Sequence, residues 1–389
     1  MRIPPLASTF VVAMKSITPQ MQQRLDERKT KGNLRSLPSI QLPHDFTSND
    51  YLGLARSQAL GQMIANRLAE LGAPAHGGTG SRLLSGNSDF AMALEQKLAG
   101  IFNGEAALVF GSGYQANLCL ISSVAQKGDT IIYDQLSHVC LKEGAWLSKA
   151  QTFAFLHNDL EDLERRLKAA EGNKFVVVES VYSMDGDVAP LKEIATLCKR
   201  YEARLIIDEA HGTGVFGEGG NGLVCSLGLE HDFFARVYTF GKAMGVHGAA
   251  VVGSQELIDY LVNFGRPFIY TTAMPLHSLV AIEQAFNYLS KNQHLQAELR
   301  QRIALFLKQF PEETDMKRIQ SNTAIQPIVA QGNERAKAMA KALQSKGFDV
   351  RPILAPTVRE GEERLRICLH TYNTEEEINA LCQTLSQPF

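Results

Sequence analysis

Between residues 89 and 266, short runs of β-branched and other apolar residues alternate with amphipathic segments. This alternation predicts parallel strands that are joined by crossover helices. The candidate strands are residues 107–110, 130–133, 175–179, 204–208, 236–240 and 249–253. The sequence therefore predicts an α/β fold with a mostly parallel central sheet, helices on both faces, and ligands bound beyond the carboxyl ends of the strands.

The chain has 389 residues, 45% of them hydrophobic, which is enough for a large domain and a smaller one. We expect an N-terminal segment (1–55) with a helix at 19–31 that packs on the smaller domain, a large domain (56–285), and a small C-terminal domain (286–389). A helical stretch at 275–310 bridges the two domains. The small domain is predicted to be α+β, in the order strand 324–329, helix 334–346, strand 364–369 and helix 374–385.

Charge and cysteine usage exclude several functional classes. The net charge of −2 gives no bulk attraction to nucleic acid or to an anionic membrane, and no run reaches the roughly 18 apolar residues of a membrane span. The six cysteines are scattered, with neither a CxxC motif nor a metal-ligand spacing. We therefore expect a cytoplasmic protein without a metal site. The first residues form an N-terminal extension, and Met14 is an alternative start.

An acid and a lysine at strand ends indicate the chemistry. Asp208 ends the apolar run RLIID, Lys242 lies in TFGKAMG, and His211 follows Asp208 by three residues. A lone lysine is usually a solvated surface residue. Together, however, a carboxylate that keeps a pyridine nitrogen protonated and a lysine that forms a Schiff base are what pyridoxal phosphate requires of a protein.

A glycine-containing stretch, GSGYQAN (111–117), follows one candidate strand and precedes an apolar helix at 116–124. By itself it can be a simple turn with a serine cap. The amides at a helix N-terminus also bind anions, and glycine allows the backbone to approach them closely. Its position ahead of the acid and the lysine favours a phosphate site.

Polar residues follow two further strands. His138 comes shortly after the strand at 130–133, where a histidine more often starts a helix or packs in a core. In a pyridoxal phosphate site, its imidazole can instead stack on the ring. Glu179 and Ser183 end another strand and point to the same sheet edge, although SMDGD also fits a plain turn.

Strand alternation in RLRICLH places Leu365, Ile367 and Leu369 on one face, and Arg366 on the other. An arginine on an open face is ordinarily a solvated charge. If that face closes over the site, Arg366 becomes a clamp for a carboxylate.

With these motifs the chain resembles the α-oxoamine synthases, a family of fold type I pyridoxal phosphate enzymes. The resemblance extends from SNDYLGLA (48–55) to the RLRICLH strand and rests chiefly on DEAHGTG combined with TFGKAMG. The other shared motifs are GTGSRLLSGN (78–87), FGSGYQAN (110–117), DQLSHVCLKEG (134–144), ESVYSMDGDVAPL (179–191), GAAVVGS (248–254) and LAPTVREGEERLRI (354–367).

The resemblance implies roles for individual residues. Lys242 carries the cofactor, Asp208 contacts the pyridinium nitrogen, and His211 contacts the ring hydroxyl. His138 stacks on the ring and also meets the substrate. Further cofactor contacts are Ser183, Thr239 and, through the backbone at the phosphate, Gly113 and Tyr114; Glu179 is a candidate beside them. The positions that match substrate contacts are Arg35, Asn49, Thr357 and Arg366.

The resemblance also implies a homodimer, because Thr271 and Thr272 match a stretch that reaches the partner subunit's phosphate site. The implied reaction is a decarboxylating Claisen condensation of an amino acid with an acyl thioester. The stretches GSRLLSGN (80–87), GAAVVGS (248–254) and PTVREGEERLR (356–366) resemble most the members of the family that use L-alanine with a pimeloyl thioester. Alternatives are a sister synthase that uses glycine with an acetyl or succinyl thioester, a fold type I aminotransferase, and a non-catalytic relative that only binds the cofactor.

Overall fold

The computed structural model describes residues 17–37, 42–72, 76–310 and 316–387. The predicted N-terminal extension with its alternative start at Met14 lies outside these ranges. In the described residues the strands are, in chain order, β1 His44–Asp45, β2 Ala106–Phe110, β3 Thr130–Asp134, β4 Gln151–Phe155, β5 Lys174–Glu179, β6 Arg204–Asp208, β7 Ala235–Thr239, β8 Ala249–Gly253, β9 Lys317–Arg318, β10 Ile325–Val329, β11 Phe348–Asp349, β12 Arg351–Ile353 and β13 Arg364–Cys368.

The α-helices of the same residues are α1 Pro19–Thr30, α2 Gln58–Glu70, α3 Asp89–Ile101, α4 Gly113–Val124, α5 Val139–Leu147, α6 Leu160–Ala169, α7 Leu191–Arg200, α8 Gly222–Ser226, α9 Gln255–Phe264, α10 Arg266–Ile269, α11 Leu276–Lys291, α12 His294–Gln309, α13 Asn333–Ser345 and α14 Glu375–Leu385.

The large sheet has the strand order β2-β8-β7-β6-β5-β3-β4. Its strands run parallel except β8, which is antiparallel to both neighbours. Valines 176–178 of β5 are completely buried, because apolar side chains cover both faces of the sheet. The predicted α/β fold with a mostly parallel sheet and helices on both faces is confirmed.

The small sheet consists of antiparallel strands in the order β12-β13-β10-β9. Helices α13 and α14 accompany it, in the predicted order of strands and helices. The N-terminal segment contacts this part of the chain: β1 pairs with β11, and Asn33 Nδ2 donates to Ala355 O. The domain boundary near residue 285 stays a prediction, and it falls inside α11.

Besides the short strands β1, β9, β11 and β12, which were not predicted, two longer elements differ from the sequence-based expectation. Strand β4 was not predicted, because it lies at the sheet edge with Gln151 and Phe153 exposed, so its apolar signal is weak. The helical stretch at 275–310 is two helices that meet at Asn292, whose side chain donates to Tyr288 O. Such bonds compete with the helical ladder and end the helix. No helix in the described ranges is long and apolar enough to cross a membrane.

Candidate active site

The predicted site residues gather at the carboxyl edge of the large sheet. Loops after four neighbouring parallel strands carry them: β3 leads to His138, β5 to Ser183, β6 to His211 and β7 to Lys242. Parallel strands end at a common edge, and the polar groups that follow them therefore converge there.

Asp208 is held in a fixed orientation by two donors. Its Oδ2 accepts from Asn117 Nδ2 at 2.7 Å and its Oδ1 from the amide of Ala210 at 2.8 Å. Only 5% of the residue is exposed. A buried carboxylate with fixed oxygens is suited to bind a protonated heterocyclic nitrogen. Asn117 lies in α4 and is the last residue of the GSGYQAN motif, but the sequence analysis assigned it no role.

Lys242 Nζ lies 2.8 Å from His211 Nε2. Burial lowers the pKa of Lys242 despite the opposing charges of Asp208 and Glu179, which increases the share of neutral, nucleophilic amine. Burial together with the charges of Lys242 and Arg366 lowers the pKa of His211 well below its usual range, so this imidazole is neutral. On its other side, His211 Nδ1 lies 2.8 Å from the hydroxyl of Tyr51.

His138 caps α5 and keeps an exposed ring. Its Nδ1 accepts from the amide of Cys140 at 3.3 Å, and its own amide donates to Glu179 Oε1. Partial burial lowers the pKa of His138, while the charge of Asp208 opposes the shift. Burial and the nearby charge of Asp208 raise the pKa of Glu179 to about 8. A neutral imidazole with a free face suits stacking on an aromatic ring.

Helix α4 begins at the glycine motif, three residues before the predicted start, because Ser112 accepts from the amide of Gln115 and caps the first turn. The first-turn amides of Gly113 and Tyr114 have no acceptor within the helix. A β-carbon at Gly113 would overlap Thr239 Oγ1, a buried hydroxyl without a hydrogen-bond partner in the described residues. Free amides beside an unpaired hydroxyl fit a phosphate group.

Arg366 is buried, with 8% of its surface exposed, so its strand face is not open to solvent. Its Nε donates to Ser183 O at 2.6 Å, which brings β13 of the small sheet to the loop after β5. Its Nη2 donates to Asn49 Oδ1 at 3.0 Å and to the hydroxyl of Tyr51 at 3.3 Å. This face of β13 therefore packs against the loop after β5, and the guanidinium contacts neutral acceptors there; its role as a carboxylate clamp stays a prediction.

The other predicted substrate residues form an exposed pair: Arg35 Nη2 donates to Thr357 Oγ1 at 3.1 Å. This pair joins the segment after α1 to the loop before β13. Nearby in sequence, Arg359 Nη2 donates to Gln135 Oε1 at 2.7 Å, in the loop that leads to His138. Arg359 thus brings a positive charge to the loop that leads to His138.

Thr271 and Thr272 make no hydrogen bond to Lys242 among the described contacts. They border a small cavity near the glycine motif, and the amide of the next residue, Ala273, donates to Gly80 O at 2.9 Å. The exposed side chains of Leu84 and Tyr270 flank this region. The expected contact of both threonines with a partner subunit stays a prediction.

One cluster among the described residues has side chains of the kinds that bind metal ions: His157, Asp185 and Asp187. Both ring nitrogens of His157 are already hydrogen-bonded, Nδ1 to Asp134 at 2.9 Å and Nε2 to Asp187 at 2.8 Å. The cluster is an ion-pair network, since neither nitrogen offers a free lone pair to a metal.

Sequence reasoning missed Tyr51. The residue lies in the SNDYLGLA motif, two positions after Asn49, and only 1% of it is exposed. A tyrosine within a polar motif that also supplies a predicted ligand was the available signal.

Three features together define the fold type I pyridoxal phosphate enzymes. They are a parallel sheet with one antiparallel strand, a buried acid near a lysine, and a phosphate site at a helix N-terminus. The aminotransferase class I and II family matches residues 44–385, and the chain belongs to this family, among its α-oxoamine synthases. It is 40% identical to 8-amino-7-oxononanoate synthase from Marinobacter nauticus, over 94% of this chain and 95% of the relative.

Two solved structures extend the similarity. A serine palmitoyltransferase variant from S. paucimobilis, with a bound PLP–myriocin aldimine, superimposes with a TM-score of 0.83 at 26% identity, covering 95% of this chain and 96% of that one. An 8-amino-7-oxononanoate synthase from Francisella tularensis gives a TM-score of 0.75 at 28% identity, with coverage of 88% and 96%.

Proposed function

We propose that the chain is an acyltransferase that condenses L-alanine with a pimeloyl thioester, releasing carbon dioxide and a free thiol and forming 8-amino-7-oxononanoate for biotin biosynthesis. The observation that carries the reaction class is a chain of three hydrogen bonds from Arg366 through Tyr51 and His211 to Lys242. These hydrogen bonds connect Arg366, which can bind a carboxylate, with the amine of Lys242, which can act as a base. The substrates follow from the name of the 40%-identical relative.

The cofactor is pyridoxal 5′-phosphate. When bound, it supplies an electron-withdrawing ring that stabilises negative charge on the Cα of an amino acid. Lys242 would hold it through Nζ, and Asp208 would hold its ring nitrogen. Its phosphate would meet Thr239 Oγ1 and the amides of Gly113 and Tyr114. Further contacts would come from His138, His211, Glu179 and Ser183.

Lys242 would move the proton at Cα. Burial lowers the pKa of Lys242, and the amine can therefore accept this proton near neutral pH and return it to the product. Asp208 keeps the opposite charge close by, which stabilises the ammonium that forms.

Arg366 and Asn49 would bind the carboxylate of the amino acid. A fixed carboxylate determines which bond at Cα is presented for cleavage, because only one substituent at a time stands perpendicular to the conjugated plane. His138 would donate a hydrogen bond to the new ketone while carbon dioxide leaves. Arg35 and Thr357 would contact the substrate further out.

The functional unit would be a homodimer in the cytoplasm. Thr271 and Thr272 would complete the phosphate site of the partner subunit, which is consistent with the exposed Leu84 and Tyr270 beside them. The six cysteines, none of them paired in the structure, fit a reducing compartment.

Thiol release distinguishes this reaction from its alternatives. L-alanine, glycine and L-serine should each be tested with pimeloyl, acetyl, succinyl and palmitoyl thioesters, and carbon dioxide should be measured in parallel. We expect alanine with the pimeloyl thioester to give the highest kcat/KM. The similarity to serine palmitoyltransferase makes serine with a palmitoyl thioester the second candidate. A higher kcat/KM for any other pair, or keto acid formation without carbon dioxide, would overturn the assignment.

A further inference from the structure

Tyr51 lies where the N-terminal segment, the large sheet and the small sheet meet. Its hydroxyl has three polar neighbours: Arg366 Nη2 at 3.3 Å, Asn49 Oδ1 at 3.1 Å and His211 Nδ1 at 2.8 Å. The side chain is almost completely buried, and water therefore does not satisfy this hydroxyl. Its single proton must go to one of these neighbours.

The protons of this cluster can be assigned from donor capacity. Arg366 only donates, and its Nη2 supplies both Asn49 Oδ1 and the tyrosine oxygen. Asn49 Oδ1 therefore has a donor without Tyr51. For His211 Nδ1, Tyr51 is the one hydrogen-bond partner within the described residues, and this is also the shorter contact. The shorter contact, and the donor that Asn49 Oδ1 already has in Arg366, favour the bond to Nδ1 for the tyrosine proton.

This assignment determines the tautomer of His211. A neutral imidazole carries one proton, and a nitrogen that accepts from Tyr51 leaves that proton on Nε2. Nε2 is the nitrogen that faces Lys242. Each group then donates to the next, from Arg366 to Tyr51 to His211, and the positive guanidinium polarises the whole series.

We propose that Tyr51 is a positioning residue that fixes His211 as the Nε2–H tautomer and so presents a hydrogen-bond donor beside Lys242. The proposal rests on the proposed function, in which His211 contacts the ring hydroxyl of the cofactor. A donor at Nε2 stabilises that oxygen as an anion. The pKa of the proton between this ring oxygen and Lys242 Nζ would therefore be lower.

Tyr51→Phe removes only the hydroxyl and keeps the packing of the ring. The matched control is Tyr238→Phe: Tyr238 is also buried, and its hydroxyl also accepts from an arginine, Arg236, at 2.9 Å. Its polar neighbours, Arg236 and Cys225, are not those of Tyr51. Both variants are prepared with the cofactor bound, and their visible absorption is titrated against pH. We expect the absorption pKa of Tyr51→Phe to rise by about one unit, the size of one hydrogen bond, and that of Tyr238→Phe to stay at the wild-type value.

An unchanged absorption pKa in folded Tyr51→Phe would overturn the proposal. A test without a Tyr51 variant uses the ¹⁵N signals of histidine-labelled wild-type protein, with His211→Asn to assign them. We expect a protonated Nε2 and an unprotonated Nδ1; the opposite tautomer contradicts the proposal. This measurement also works on the protein without cofactor. If the wild type showed no visible absorption with pyridoxal phosphate, the proposed function would fail. The measured tautomer of His211 would still confirm or contradict the proposed role of Tyr51.

Discussion

Gly113 and Thr239 meet where the first turn of α4 approaches the end of β7. Only glycine fits at position 113, because a β-carbon there would overlap the buried Thr239 hydroxyl. The same contact leaves that hydroxyl without a protein partner in the described residues, ready to donate to a phosphate oxygen. Close approach, rather than an unusual backbone angle, is the reason for glycine here.

We therefore expect Gly113→Ala to weaken pyridoxal phosphate binding by at least about tenfold, since displacing Thr239 removes a hydrogen bond to the phosphate. The dissociation constant can be measured from the visible absorption on titration with cofactor. Gly61→Ala is the matched control, because Gly61 lies inside α2 with open space around it. That variant should bind normally and be more stable by roughly 0.5–1 kcal/mol. Equal affinities of both variants would contradict the assigned cradle.

His157 joins three strand ends of the large sheet, and nothing in the sequence analysis singled it out. It follows β4, and its two ring nitrogens contact Asp134 at the end of β3 and Asp187 in the loop after β5. Burial lowers the pKa of His157, but the hydrogen bonds and charges of the two aspartates outweigh burial and raise it to about 10. The loop after β5 carries Ser183, so this ion pair supports the backbone that holds Arg366.

This raised pKa predicts a pH-dependent contribution to stability. A group that binds its proton more tightly in the folded state stabilises fully below its unfolded pKa, near 6.5 for histidine, and loses the contribution as the pH rises to about 10. The difference in unfolding free energy between wild type and His157→Gln should therefore shrink from pH 6 to pH 10 by up to roughly 4 kcal/mol. Urea denaturation at several pH values measures it. A difference that does not change with pH would refute the charged state of His157.

The small sheet is fastened to the large sheet through the loop after β5. Arg364 pairs with Asp185, Arg366 donates to Ser183 O, and Ser321 and Thr323 both donate to Gly186 O at 2.8 Å. These contacts join residues more than 130 positions apart. The site is therefore a property of both sheets together, since neither one alone brings Arg366 and Lys242 to the same tyrosine–histidine pair.

The predicted homodimer can be tested by complementation. Lys242→Ala and Thr272→Arg should each be inactive, because the first lacks the amine and the second blocks the phosphate site of its partner. In a mixed dimer, one site combines an intact Lys242 with an intact Thr272 from the other subunit. Random mixing should therefore restore about a quarter of the wild-type activity. No recovery in a dimer that exchanges subunits would show that Thr272 acts outside the partner's site.

Local sequence patterns were sufficient to predict the mostly parallel sheet and the chemical groups along its carboxyl edge. Periodicity reports which residues are buried, and residues that follow parallel strands necessarily share an edge. For this reason Asp208, His211, Lys242 and His138 could be predicted to lie together from strand positions alone. Strand β4 could not be predicted, because an edge strand has too little buried surface to show the pattern.

The distant side chains that complete this edge are brought there by three-dimensional packing. Tyr51 and Arg366 are separated by 315 positions, and their contact depends on how the small sheet packs against the loop after β5. Asn117 behind Asp208 and the ion pairs of His157 likewise arise from packing between elements. Local sequence patterns contain no information on such contacts, because their geometry is set by the relative placement of separate helices and sheets.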